Sequence, residues 1–514
     1  MFNKSIRLFN TVKYLKPIQI KYRLYYLFLK KIRVVLGKRY LFSKESTVNV
    51  LNLKESIHIV PCYESENQFS FLNLEKKFND KIDWNYSEYG KLWTYNLTYF
   101  DYLSHTNQKE SLYLLNSFVE NISIVNDGLE PFPISLRGIN WIKYLSYSNI
   151  RDKKIENSLY AQYSILLENL EYHLLGNHLL ENGFSLLFGA YYFKDEVLYQ
   201  KSKEILIEQL TEQILEDGGH FELSPMYHQI MLFRLLDCIN LLQHNPWKSN
   251  EFLLFCEKKA NLMLSWLENI SYKNGDIPLF NDSTFGIAPT SLQLFDYAER
   301  LHIKIENTAL SQSAYRKVSK KNYECIVDVG PIGAEYIPGH AHADTFNFEL
   351  QIDGKPFIID TGLSTYETNE RRTLERSTAS HNTVEVNGQS QSEVWGGFRV
   401  ANRANIIALT EDENTIESTH DGYRKENIYH TRKWTFEEHR VIIEDSLSQD
   451  TTAVARLHFA PNILEEEILK YLTINEKNIK FEKYFYSPQF NMKKEALVLT
   501  IHFKKSLKIE MNIP

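Results

Sequence analysis

The sequence predicts an α+β chain, with an all-α N-terminal half feeding an antiparallel β C-terminal half. Three observations carry this expectation. Apolar residues recur at three- and four-residue spacing from about residue 65 to 310. From about residue 320 to the end, short β-branched and aromatic runs are punctuated by turn dipeptides. The two textures occur in succession and do not alternate, which points to adjoining domains. Boundaries follow at 1–45 for a basic N-terminal helical segment, 46–315 for a helical domain and 316–514 for a β domain.

In chain order, Tyr160–His173, Met231–Gln243, Phe252–Trp266 and Ser291–Leu301 are the clearest amphipathic helices. Turns such as Glu216-Asp217-Gly218-Gly219 and Asn274-Gly275-Asp276 separate the helical segments, so helical hairpins packed side by side are expected. No strict internal repeat supports a solenoid. The polar stretch Thr308–Lys321 marks the change of texture. Beyond it, strands are expected at Cys325–Val329, Asn347–Ile352, Phe357–Asp360, Thr383–Val386, Ala404–Leu409, Val441–Glu444, Val498–Phe503 and Leu507–Met511. Asp353-Gly354 and Asn387-Gly388 are hairpin signals.

The first 39 residues carry 11 Lys or Arg and no Asp or Glu. Their longest apolar run, Leu24–Leu29, is closed by Lys30-Lys31 and falls short of the ~7–15 residues of a signal-peptide core. No signal peptide is evident, so a cytoplasmic or membrane-peripheral location is expected over a periplasmic one. No uncharged run approaches the ~20 residues of a membrane span. The basic segment could lie on an anionic membrane surface; packing on the domain with its Lys and Arg in water is the favoured alternative. A net charge of −7 argues against a nucleic-acid binder. Cys62, Cys238, Cys256 and Cys325 form no CxxC pair and read as reduced core thiols. The oligomeric state is left open.

Three clusters could carry chemistry. The densest is Pro338-Gly339-His340-Ala341-His342, followed by Asp360 and by Ser380-His381. In a strand, His340 and His342 would share one face. Two or three imidazoles with one carboxylate suit a tetrahedral zinc ion, although an HxH pair with a distant Asp also arises by chance among 16 His. The second cluster, Asn177-His178-Leu179-Leu180-Glu181, places His178 and Glu181 on one helix face; a polar helix end capped by Asn182-Gly183 is the bland alternative. The third runs from Asp217 to His228. Gly218-Gly219 would permit close backbone approach to a ligand, and Ser224-Pro225 would place Tyr227 on a helix's first turn. A tyrosine there is more often plain packing.

Together with Val12–Gln19, Leu92–Asn96, Tyr99–Tyr102 and Pro131–Arg137, these blocks resemble the heparinase II/III-type polysaccharide lyases over most of the chain. The resemblance implies an incomplete (α/α) toroid followed by a β-sandwich. It also implies β-elimination on an acidic, uronic-acid-containing polysaccharide, in catabolism or in bacterial surface-polysaccharide metabolism. Carried over by position, Tyr227 and His340 resemble the family's catalytic tyrosine and histidine. Asn177 or His178 resembles the group that neutralises the substrate carboxylate. His342, Asp360 and His381 look like the family's structural metal site, here expected to hold Zn2+.

Abstracting the C5 proton of a uronate creates charge beside an existing carboxylate, so the site needs donors, a base and an acid for the leaving oxygen. Asn177 or His178 would supply donors, His340 a base near neutral pH, and Tyr227 base and acid if its pKa were lowered. Glu181 could orient His178. A polyanion calls for a locally basic cleft, with Arg137, Arg371, Arg372, Arg376 and Arg399 as candidates against a background of ordinary surface charge. Two other functions compete: a glycoside hydrolase using a pair among Glu181, Asp217, Glu222 and Asp282, and a non-catalytic glycan-binding or assembly protein.

Overall fold

The computed structural model describes residues 2–58 and 62–514. In the helical half, helices run at Lys91–Tyr99, Gln108–Asn121, Pro131–Tyr147, Lys153–Glu168, Gly176–Phe193, Glu196–Gln213, Pro225–His244, Glu251–Ile270 and Ser291–Arg300. Asn107, Asp152, Asp195, Ser224 and Thr290 cap five of them, each side chain accepting a backbone N–H of the first turn, worth about 1 kcal/mol apiece. Gly176–Phe193 is apolar and buried almost all round, as a central helix must be, and it packs against Pro131–Tyr147, Glu196–Gln213 and Pro225–His244.

Two local expectations fail here. Asn182-Gly183 does not end a helix: a Cβ on Gly183 would lie 2.9 Å from Ile205, so the glycine admits the neighbouring helix, and Asn182 accepts from the Glu171 N–H. Gly218-Gly219 serves packing too, because a Cβ on Gly218 would sit 1.9 Å from the Leu262 carbonyl oxygen. The helix expected over Tyr160–His173 stops at Glu168. A hairpin, Gln68–Phe71 with Leu74–Lys77, interrupts the otherwise helical half.

The C-terminal half is built from antiparallel ladders. One sheet orders Ile406–Glu411, Thr415–His420, His430–Glu437, Arg440–Leu447, Ser506–Asn512 and Leu472–Ile474. A second orders Ile479–Tyr486, Lys494–Phe503, Ala453–His458 and Val384–Val386, and a third Tyr315–Ser319, Tyr323–Asp328, Phe348–Ile352 and Lys355–Ile358. Trp434, Ile443, Leu457, Leu499 and Ile509 are among the side chains of their shared core. Asp353-Gly354 makes the expected primed turn, with φ of 49° and 71°. Asn387-Gly388 has the same sign of φ but closes only the single Val386–Gln389 bridge.

The two halves are knit together. Tyr315, on the first strand of the β half, belongs to the helical core, and its phenol donates to the Leu223 carbonyl at 2.5 Å. Helix Pro17–Val35 lies on the helical half, where Tyr22 stacks on Tyr172 at 4.6 Å. Helix Phe2–Val12 reaches the other half, where the Trp395 indole donates to Thr11 at 3.2 Å. Among the described residues, no helix is long and apolar enough to cross a membrane.

Candidate functional site

Tyr227 stands at the third position of helix Pro225–His244, its backbone N–H bound by the Ser224 cap at 3.3 Å. His340 comes from the other half, in a single 3-10 turn (Pro338–His340) and not in a strand as expected. The two rings stack at 3.8 Å between centroids, tilted by 30°. The Tyr227 phenol also shares a hydrogen bond with that of Tyr366 at 3.2 Å.

Asp282 is why His340 and His342 converge without a strand. Its carboxylate faces His340 Nδ1 at 2.9 Å and His342 Nε2 at 2.8 Å, and the Arg372 guanidinium pairs with it end-on, one contact at 2.7 Å. The backbones are pinned as well: Asp282 N–H donates to His340 O at 3.0 Å, and His342 N–H to Asn281 Oδ1 at 2.9 Å. Burial alone would push the Asp282 carboxyl up, but Arg372 and the two imidazoles hold it well below the usual carboxylate range. A carboxylate only accepts, so His340 carries its proton on Nδ1 and leaves Nε2 as a base, 3.4 Å from the Asn177 amide nitrogen.

Asn177 begins the central helix beside Glu222. Its backbone N–H donates to Glu222 Oε1 at 2.9 Å and its side-chain amide reaches both carboxylate oxygens at 3.1 and 2.9 Å. Burial raises the Tyr227 phenol above its ordinary pKa, in spite of Tyr366 and Arg372, so the free site holds Tyr227 protonated. The lowered pKa that would make it a resting base is absent.

Asn177, Tyr227 and Tyr366 open onto a cavity of about 340 Å³ between the halves. Tyr99, Phe132, Phe285 and Phe490 give it apolar walls. Its charged lining is Asp101, Glu181 and Arg234. The tip of the Gln68–Lys77 hairpin also borders it: Asn73 Nδ2 donates to Phe490 O at 2.8 Å and to Gln489 Oε1 at 3.1 Å, while Asn491 Nδ2 donates to Leu72 O at 2.9 Å. Leu72 and Asn73 both have positive φ, 56° and 60°.

Several expected site residues take other partners. His178 turns away, bound to Glu171 at 3.0 Å and packed on Phe132. Glu181 does not orient it; that carboxylate pairs with Arg234 at 3.2 Å, and its other oxygen is buried without a partner. Among the described residues, none of the expected arginines lines the cavity. Arg137 is fully buried and donates to Gln162 and Thr98 O. Arg376 is buried, holding Ala341 O and Gly397 O and thereby the His340–His342 loop. Arg371 donates to Glu375, Phe485 O and Ser487, and Arg399 is exposed over Trp395. Arg137, Arg371 and Arg376 thus satisfy oxygen acceptors on distant chain segments that a linear sequence does not reveal. Of the carboxylates in the hydrolase alternative, Asp217 is bound by Ser311 and Ser313, Glu222 by Asn177 and Asp282 by Arg372.

At the expected metal site, His381 Nδ1 meets Asp360 Oδ2 at 2.8 Å, and the His342 and His381 rings are 5.2 Å apart. His342 Nδ1 and His381 Nε2 are buried without hydrogen-bond partners. Among the described residues, no group of three His, Cys, Asp or Glu side chains is arranged to hold a metal ion.

Residues 154–302 match the family model of the heparinase II/III N-terminus, and residues 304–503 that of the heparinase II/III-like C-terminal region. The chain belongs to the heparinase II/III family. A heparin-sulfate lyase of Bacteroides stercoris is 23% identical over 379 residues, covering 66% of this chain and 55% of that protein. One from Pedobacter heparinus is 24% identical over 265 residues, 46% of this chain and 39% of its own length. The chain thus spans about half the length, or less, of these relatives. Among solved structures, a heparinase III superposes with a TM-score of 0.66 at 14% identity, covering 99% of this chain and 93% of that one. A heparan sulfate lyase from Pedobacter heparinus gives 0.55 at 16%, covering 87% and 81%. The fold is accordingly that of the family, an incomplete (α/α) toroid followed by a β-sandwich. Sequence reasoning assigned no place in the site to Tyr366, Arg234, Asp101 or the hairpin tip, and gave Glu222 only a hydrolase role.

Proposed function

We propose that the protein is a polysaccharide lyase that cleaves a uronic-acid-containing polysaccharide by β-elimination. One observation carries this reading: Tyr227 and Asn177 of the helical half line one cavity, and His340 of the β half is in contact with both behind them. Domain junctions are preferred ligand sites. The relatives named as heparin-sulfate lyases support the same chemistry.

In this reading Asn177 donates its amide to the substrate carboxylate and stabilises the charge that develops there, about 3–4 kcal/mol by analogy with an oxyanion-hole donor. His340 Nε2 takes the C5 proton. Tyr227, held protonated, gives its phenolic proton to the departing glycosidic oxygen as the C4–O bond breaks and the C4–C5 double bond forms. Glu222 fixes the Asn177 amide, and Asp282 fixes the His340 tautomer. With Asp101, Glu181 and Arg234 as the charged lining, the cavity suits a uronate chain of low charge density better than a densely sulfated one.

A zinc ion on His342, Asp360 and His381 is part of the proposal. His342 Nδ1 and His381 Nε2, buried and unpartnered, offer two ligands to such an ion; Asp360, bound to the other nitrogen of His381, would turn from it to supply the third. Bound there, it would supply fixed positive charge and a structural tie between the loops that carry those residues. Elemental analysis of protein purified without chelator should give about one zinc per chain; no stoichiometric metal would overturn this part. For the main reading, digestion of uronate polysaccharides should raise the ultraviolet absorbance of the unsaturated product. Bond cleavage without that rise would mark a hydrolase, and binding without cleavage a glycan-binding protein.

A further inference from the structure

Helix Pro17–Val35 carries its apolar residues on the wrong side for a soluble surface. Gln19 is buried, and Tyr22 and Tyr26 pack toward the helical half, where the Tyr26 phenol donates to the Leu170 carbonyl. On the opposite face, Ile20, Leu24, Leu27, Phe28, Val34 and Val35 line up by helical spacing. They are in water: Leu24 is 63% exposed, Leu27 61% and Phe28 64%. A surface helix normally turns such a stripe inward, and contiguous exposed apolar surface marks an interaction site. The helix cannot roll over to hide it, because its other face is already anchored by Gln19 to Leu174 O and by the Tyr22–Tyr172 stack.

Charge decides what covers the stripe. Residues 1–39 hold 11 of the chain's 58 Lys and Arg and none of its 65 Asp and Glu. Lys21, Arg23, Lys30 and Lys31, on the same helix, are all exposed. A second copy docked face to face would set these cations against their own counterparts, with no carboxylate in the segment to offset them. An anionic lipid surface complements both features, taking the apolar side chains into the acyl boundary while the cations meet the headgroups. We propose that the face of Pro17–Val35 bearing Leu24, Leu27 and Phe28 docks on anionic membrane surfaces, holding the enzyme there as a peripheral protein.

The test uses the whole chain and vesicle co-sedimentation, with phosphatidylcholine vesicles and with vesicles that also contain phosphatidylglycerol. Binding is expected to the anionic vesicles only and to weaken as salt rises. The triple variant Leu24→Glu, Leu27→Glu, Phe28→Glu should lose about tenfold or more in partitioning, since it removes the apolar side chains that would enter the acyl boundary. Its melting temperature and its turnover of soluble substrate should stay unchanged, because these side chains touch neither the core nor the cavity. No binding of the parent protein to anionic vesicles would overturn the proposal, and so would equal binding by the triple variant. A parent protein that sediments as a dimer, ignores vesicles and becomes monomeric in the triple variant would assign the stripe to a second copy instead.

Discussion

Replacing Asp282 by Asn tests the hub of the site. The carboxylate receives four donors, two from Arg372 and one each from His340 and His342. An amide keeps one oxygen, turns its nitrogen toward a donor, and leaves the Arg372 guanidinium buried and unpaired. Breaking a buried pair in this way costs about 3–5 kcal/mol. At about 2.1 cal/mol/K of unfolding entropy per residue, about 4 kcal/mol lowers the melting temperature by about 4 °C if all 514 residues melt together, and by about 10 °C if the β half melts alone. Turnover should fall by about a hundredfold or more, since His340 loses the group that fixes its tautomer. The double variant Asp282→Asn, Arg372→Met removes the stranded charge, so it should recover part of the melting temperature and none of the turnover. Calorimetry and the absorbance assay read the two effects separately. An Asp282→Asn protein melting within about 1 °C of the parent with full turnover would refute the role given to this carboxylate.

Tyr227→Phe should lower turnover by about 10²–10⁴-fold. Its melting temperature should barely change, because a hydrogen bond to Tyr366 at the cavity wall is worth about 1 kcal/mol net and water can replace it. The Asn73 and Asn491 bonds that tie the hairpin tip to the cavity's edge predict that Asn73→Ala, Asn491→Ala shifts products toward longer oligosaccharides, read by size-exclusion chromatography; an unchanged profile would show that the hairpin tip does not limit access. Asp445 is buried between Arg432 and His430; burial opposes its charge, but Arg432 and His430 lower its pKa below the unfolded value. Its stabilising effect is therefore complete above the unfolded carboxylate pKa, about 4, and is lost as pH falls below it. Melting curves of Asp445→Asn should lie below the parent's at pH 7 and converge with them in acid.

Much of this was legible from residues. The change from helical to strand periodicity near residue 310–320 survives in the structure, where the last helix of the helical half ends at Arg300 and the next element is the strand from Tyr315. The place of Tyr227 on a helix's first turn was legible because Ser224-Pro225 fixes a helix start, a local signal; His340 was read in a strand and lies in a 3-10 turn, because the distant Asp282 and not a ladder holds it. The roles of arginines were not, since whether a guanidinium faces water or a buried carbonyl is settled by chain segments far away: Arg376 belongs to Ala341 and Arg372 to Asp282. His178 and Asn177 are adjacent, and only the direction of helix Gly176–Phe193 separates the one at the cavity from the one at Glu171. The Gln68–Lys77 hairpin escaped because Leu72-Asn73 takes up positive φ without a glycine.

The most direct measurement is the absorbance of unsaturated uronate released from a panel of uronate polysaccharides by the parent protein, Tyr227→Phe and His340→Ala side by side. β-Elimination at the Tyr227–His340 pair predicts a rise with at least one polymer for the parent and its near-complete loss in both variants, with binding retained. Polymer cleavage that proceeds without the absorbance rise, or an undiminished rise in the two variants, would contradict it.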